Sequence, residues 1–154
     1  MVVLCSPPRE VPIVDSADVD SAGLEVLSRQ DCLGFLASVT IGRLVFTDRA
    51  LPAVQPVAFV LHDEGVVVRL AEGSSALAAG GAIVAFEIDN IAHDLREGWT
   101  VTVVGHAHEV RDPEWLRRLA DLRLPSRGEG ATDRYLVITI EVVTGTRIPM
   151  PRLG

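Results

Sequence analysis

Gly42-Arg43-Leu44-Val45-Phe46-Thr47-Asp48-Arg49-Ala50 is where the apolar residues of this chain begin to alternate with a period of two. That period places successive side chains on opposite faces of a strand, so the stretch predicts a strand from Arg43 to Thr47 and a turn at Asp48-Arg49-Ala50. Ala53 to Leu61 and Val66 to Leu70 continue the pattern on either side of His62-Asp63-Glu64-Gly65, and the three runs predict an antiparallel meander. Pro52 and Pro56 cannot donate to a ladder. The second strand is therefore expected to be an edge, or broken near Pro56, leaving polar groups free for a ligand.

Toward the C-terminus, Arg69-Leu70-Ala71-Glu72-Gly73-Ser74-Ser75 reads as a strand end running into a short helix, Ser74 to Ala79, closed by Gly80-Gly81. Such a turn aims backbone N–H groups and two small hydroxyls at one point with Arg69 nearby, which suits a phosphate. The plainer reading is a helix start. Ile83 to Ile88 predicts a strand, Asp89 to Gly98 a polar loop, and Thr100 to Val110 a long strand interrupted at Gly105 by a bend or bulge of the kind that closes barrels. Asp112 caps a helix that has Pro113 at its first position and runs to about Leu122. Pro125 to Asp133 reads as a loop, and Tyr135 to Val143 as a last strand burying Leu136, Ile138 and Ile140.

Toward the N-terminus, Ser28 is placed as an N-cap with Asp31 three residues on, and Leu27 with Cys32 form a hydrophobic staple. A helix of about ten residues should follow and bury Cys32, Leu33 and Leu36. Residues 1–22, with Pro7, Pro8, Pro12, Asp15, Asp18 and Asp20, read as a flexible tail before a single domain over 23–154. The expected fold is mainly β, a six-stranded antiparallel barrel with two or three short helices.

Composition narrows the function. The 21 acidic and 14 basic residues give a net charge of −7, which disfavours nucleic acid and anionic membranes as partners. Every basic residue is Arg, so no Lys is present to form a Schiff base or grip a phosphate. Cys5 and Cys32 show no metal or redox spacing, and neither a secretion signal nor an apolar run of about 18 residues is present, so a reduced, cytoplasmic, soluble protein is expected. His106 and His108 share a strand face without a third ligand and read as solvated, so no metal is expected. His62 and His93 receive no role. Hydrolase elbows, Walker loops and zinc-protease motifs are absent, and no residue stands out as a general acid or base.

Five motifs in order, Ile41-Gly42-Arg43-Leu44-Val45-Phe46-Thr47, Leu51-Pro52-Ala53-Val54-Gln55-Pro56-Val57-Ala58-Phe59, Val84-Ala85-Phe86-Glu87-Ile88-Asp89, Gly98-Trp99-Thr100-Val101 through Gly105, and Val143-Thr144-Gly145-Thr146-Arg147-Ile148, resemble the pyridoxamine 5′-phosphate oxidase-like FMN-binding split-barrel family. The closest flavour is the actinobacterial branch near the nitroimidazole-resistance proteins. The resemblance covers residues 27 to about 148.

It implies a split barrel that forms a homodimer with a flavin in each of two clefts between subunits, acting as an oxidoreductase on a small oxidised acceptor. By that resemblance Val54, Gln55, Pro56 and Val57 lie along the flavin ring, Arg69, Leu70, Ser74 and Ser75 hold the ribityl phosphate, and Trp99 and Thr100 approach from the other subunit. Arg147, in the Thr-Gly-Thr-Arg segment, has the reach to enter the cleft, and a surface ion pair is the plainer reading. Family members that hold FMN well usually carry a Lys, often with an Arg, directly after the Gly-Ser or Gly-Thr pair, where this chain has Ser75 and Ala76. Each lost charge-assisted hydrogen bond costs about 1.5 to 3 kcal/mol. FMN is thus the implied cofactor, with a deazaflavin or no cofactor as the alternatives. In the last case the protein is a non-enzymatic split-barrel dimer. No Trp or His follows the last strand to match the substrate-handling segment of true pyridoxamine phosphate oxidases, so vitamin synthesis is not expected.

Overall fold

The computed structural model describes residues 19–20, 22–63, 65–125 and 133–149. In chain order these form β1 (Glu25–Val26), α1 (Arg29–Ser38), β2 (Ile41–Asp48), β3 (Leu51–His62), β4 (Gly65–Ala71), a 3₁₀ turn (Ser75–Ala79), β5 (Ile83–Ile91), β6 (Gly98–Glu109), α2 (Pro113–Asp121), β7 (Asp133–Thr139) and β8 (Val142–Ile148). The sheet runs β1-β8-β6-β5-β2-β3-β4-β7, and β7 returns to pair with β6. Strands β2 to β7 therefore close a six-stranded antiparallel barrel, the number and type expected, while β8 and β1 continue the sheet outside it.

Closure turns on one residue. The first part of β6 pairs with β8, from Gly98↔Ile148 to Val104↔Val142, and its last part pairs with β7, from Ala107↔Ile138 to Glu109↔Leu136. Gly105 lies where the partner changes, and a Cβ built there would stand 1.7 Å from the Thr139 carbonyl oxygen. No side chain fits in that gap. Glu141 seals the junction: its N–H donates to the carbonyls of Val104 and Thr139, and its carboxylate accepts from the His106 N–H at 3.0 Å.

This junction corrects the last strand. The run expected from Tyr135 to Val143 breaks after Thr139, and Thr144 to Ile148, placed after the final strand by sequence, lies within β8. Local alternation runs straight through the break, because only pairing with β6 reveals it. β1 was also unforeseen. It borrows its partner from β8 through Glu25↔Arg147 and Val26↔Thr146. The loop expected over Asp89 to Gly98 is shorter, since β5 extends to Ile91. The tail assigned to residues 1–22 and the loop assigned to 125–133 fall largely outside the described residues.

Elsewhere local signals hold. The Ser28 side chain accepts from the Asp31 N–H at 3.1 Å, and Asp112 caps α2 in the same way through Glu114. Leu27, Cys32, Phe35 and Leu36 are buried between α1 and the barrel, although Leu33 is only partly covered. The Arg49-Ala50 turn joins β2 to β3 with φ of +48° and +65°, the positive values that a two-residue hairpin needs. Leu44, Phe46, Phe59, Val66, Val68, Leu70, Phe86, Val103, Leu136 and Ile138 fill the barrel. A second cluster forms outside it, where α2 lays Leu119 over Ala58, Val67 and Tyr135. β4 and β7 are thus covered on both faces, not on one.

The expected outcome of Gly105→Ala is loss of stability at or above the upper end of the roughly 1–3 kcal/mol typical of overpacking, because the obstruction is backbone. Urea unfolding measures it, and a loss below about 0.5 kcal/mol would show that closure does not depend on this contact.

Candidate functional site

β3 is longer than the strand beside it. It pairs with β2 from Leu51 to Ala58, but with β4 only from Ala58↔Arg69 to His62↔Gly65. From Leu51 to Val57 the edge turned away from β2 has no strand partner among the described residues. The edge reading of this strand holds, and the strand is not broken at Pro56. A cleft of about 210 Å³ opens where β4 leaves, lined by Ile41, Gln55, Pro56, Val57, Arg69 and Ala71 among others.

Leu70 and Val57 send their side chains into the core, at 1% and 5% exposure, so a ligand can meet only their backbone. Val54 lies on the outer surface of the sheet, 60% exposed. The Ser74 hydroxyl donates to Gln55 Oε1 at 3.2 Å and accepts from the Ala76 N–H, which ties the turn to β3. The N–H groups of Ser74 and Leu77 bond to Ala71 and Ser74 carbonyls, so the turn uses several of its own donors. Ser75 is exposed at the start of a five-residue 3₁₀ turn, not of an α-helix.

Arg69 is not free. One guanidinium nitrogen bonds to Asp133 Oδ2, and the two side chains are only 18% and 25% exposed. Arg69 Nε and Asp133 Oδ1 are buried without a hydrogen-bond partner. Sequence reasoning did not find Asp133, because it meets Arg69 only through the β4–β7 register, in which Arg69 opposes Tyr135 and Ala71 opposes Asp133.

Trp99 and Thr100 lie elsewhere. The Trp99 ring stacks on Phe35 at 4.2 Å and lines a separate cleft of about 330 Å³ with Asn90, Glu97 and Arg147. Arg147 makes no ion pair among the described residues, contrary to expectation. Thr100 points to the opposite face, where its hydroxyl donates to Glu87 at 3.3 Å, and Glu87 and Asp89 both accept from Arg43. Within one chain the ten candidate residues therefore do not converge.

Other chemistry is sparse. Burial pushes the Cys32 thiol up to about 11, so it is not a nucleophile. His106 bonds to Glu141, and its ring lies 6.4 Å from that of His108. Among the described residues no three His, Cys, Asp or Glu side chains group closely enough to hold a metal ion, and no helix is long and apolar enough to cross a membrane.

The geometry, a closed six-stranded barrel with a cleft on an overhanging strand, agrees with the motif order. A family model described as pyridoxamine 5′-phosphate oxidase matches residues 28–147. The chain belongs to this family. It is 42% identical over 130 residues to the uncharacterised protein Rv0080 of Mycobacterium tuberculosis, which covers 79% of this chain and 84% of the relative. Among solved structures, the FAD binding protein from Mycobacterium smegmatis superposes with a TM-score of 0.66 at 32% identity, over 80% of this chain and 97% of that one. An FAD-binding protein from Mesorhizobium loti, at 19% identity and a TM-score of 0.63, covers 80% of this chain and 96% of its own and shares the fold.

On the outer face of this pyridoxamine phosphate oxidase-like barrel, burial raises the Glu87 carboxyl above its ordinary value, with the neighbouring Asp89 adding to the shift and Arg43 opposing it. A carboxyl whose folded value is raised costs stability once it ionises, so its contribution improves as pH falls through that value. Glu87→Gln is expected to unfold at a higher temperature than wild type at pH 7, with the gap closing toward about pH 4, near the ordinary glutamate value. Thermal melts across that range check the sign. A variant less stable at pH 7 would make the Arg43 pair the larger effect.

Proposed function

We propose that this protein is a flavin-binding homodimer of the cytoplasm that acts as an oxidoreductase on a small oxidised acceptor. The observation that carries the reading is the unpaired stretch of β3 in the Gln55-Pro56-Val57 cleft. An edge with unmade backbone hydrogen bonds is a template for a planar ligand rich in amide-like donors and acceptors, as a flavin ring is. The likeness to an FAD-binding protein at 32% identity supports the same ligand class.

The cleft is too small to work alone. At about 210 Å³ it falls below the roughly 300–1,000 Å³ of small-molecule sites, so a ring lying there needs a second wall. A second copy of this chain would supply it. The outer sheet carries a continuous apolar row, Val54, Val45, Ala85, Val104 and Val142, in register across five strands, with Val54 and Val142 more than half exposed. Such a row fits a two-fold interface, which would also bring Trp99 or Thr100 of the second copy toward the cleft.

In this reading Val54, Gln55, Pro56 and Val57 border the ring, and Arg69, Leu70, Ser74 and Ser75 border its side chain. Gln55 is oriented by Ser74 and offers its amide to the ring's polar edge. When bound, the flavin supplies the electron-transfer chemistry, while the chain binds it, orients it and keeps water from it. The commitment of Arg69 to Asp133 favours the runner-up, a barrel dimer without tight cofactor binding.

Titrating the purified protein with FAD, FMN, riboflavin and a deazaflavin, followed by absorbance and fluorescence, should reveal at least one ligand binding below about 100 μM, or roughly −5.5 kcal/mol. Failure of all four at that level overturns the enzyme reading in favour of the runner-up. Val104→Arg, which puts a charge in the middle of the apolar row, is expected to convert a dimer to a monomer in sedimentation analysis and to weaken flavin binding at least about tenfold. A wild-type monomer would remove the shared cleft.

A further inference from the structure

We propose that Asp133 withholds Arg69 from ligand, so that the cleft binds a flavin through its ring and hydroxyl-bearing chain and gains nothing from a terminal phosphate monoester. The inference rests on the flavin-binding reading and concerns which flavin the same site accepts.

Three observations lead to it. Among the described residues Arg69 is the only cation lining the cleft, and its guanidinium is bonded to the Asp133 carboxylate in a largely buried pair. At the wider end of β4, β6 and β7 the other described arginines are also paired: Arg134 bonds to Glu109 and lies 4.0 Å from Glu72, while Arg111 bonds to Glu109 at 3.1 Å. Among these described residues three guanidinium groups face three carboxylates, so their charges cancel. Finally, the turn that follows β4 carries Ser74 engaged with Gln55, then Ser75 and Ala76, and no Lys exists anywhere in the chain.

A phosphate monoester carries nearly two negative charges at neutral pH and is held by unpaired cations. Brought to this cleft, it would face the Asp133 carboxylate across the one guanidinium. Like charge beside the acceptor offsets the attraction of Arg69, and displacing Asp133 would leave a carboxylate that is mostly out of water without its partner. The uncharged ribityl hydroxyls meet no such opposition. Asp133 is therefore a specificity-determining residue: it keeps the barrel's cleft for flavins that do not depend on a phosphate monoester for their grip.

The test compares riboflavin with FMN, which differ only in that phosphate, by fluorescence titration of the full chain at fixed ionic strength. Wild type is expected to bind the two within about threefold of each other. Asp133→Asn keeps the shape, frees the Arg69 charge and should favour FMN over riboflavin by a further tenfold or more, about the value of one charge-assisted hydrogen bond, with riboflavin affinity unchanged. FMN binding wild type more than tenfold tighter than riboflavin would overturn the inference while leaving the flavin reading intact, as would an unchanged ratio in the folded variant. If Asp133→Asn does not fold, Asp133→Ser takes its place, and the wild-type ratio decides without either. Absence of binding by both flavins and by FAD would instead overturn the flavin-binding reading and this inference with it.

Discussion

The close approach of Gly105 to the Thr139 carbonyl is the contact on which the architecture depends. A β-sheet of six strands becomes a barrel only if its last strand finds its first, and here β7 must reach β6 while β8 already occupies part of the same edge. Both neighbours fit because β6 is twelve residues long and is divided at a residue without a side chain. The Glu141 carboxylate then takes up the His106 N–H, which the change of partner would otherwise leave without a protein acceptor.

Closure has a consequence for where ligands can go. A barrel abolishes sheet edges wherever its strands overlap, so unmade backbone hydrogen bonds remain only where a strand overhangs. β3 has twelve residues and β4 seven, and the overhang, Leu51 to Val57, coincides with the cleft. The two prolines in that overhang remove donors from one of the few exposed edges, which limits pairing with stray strands. They do not remove the carbonyls. The edge is therefore discouraged from aggregation yet still able to meet a ring with donors of its own.

What the sequence disclosed follows the range of the forces involved. The six barrel strands, the caps at Ser28 and Asp112 and the short turn after β4 are set by residues within a few positions of one another, and the ordered motifs at 41–59, 84–89, 98–105 and 143–148 brought the family into view. The break between β7 and β8, the pairing of β1 and the second core under α2 depend on register between distant strands. Tyr135 illustrates the limit: alternation marks only the Leu136, Ile138 and Ile140 face as buried, yet Tyr135 is buried too, in the cluster with α2 and Val67. The candidate site divides in the same way. The Gln55 and Arg69 positions were legible by motif, whereas the pairing of Arg69 with Asp133 was not, since 64 residues separate them.

That pair also shows why residue type alone misjudges a binding site. An arginine at the end of a strand beside a cleft has the charge and reach to hold an anion, and by composition it is the obvious donor. In the folded chain it sits in the row Ala58-Arg69-Tyr135 on a face partly covered by α2, where an unpaired guanidinium would be costly. Asp133 meets that cost from the adjacent strand, and the charges of the pair cancel across the β4–β7 junction. The same desolvation that makes the ion pair necessary makes it hard to exchange. Nε of Arg69 and Oδ1 of Asp133 remain without partners, so the pair is held by its surroundings more than by ideal geometry. A ligand that left it intact would meet a neutral wall, and the polar edge of β3 would be the stronger recognition element.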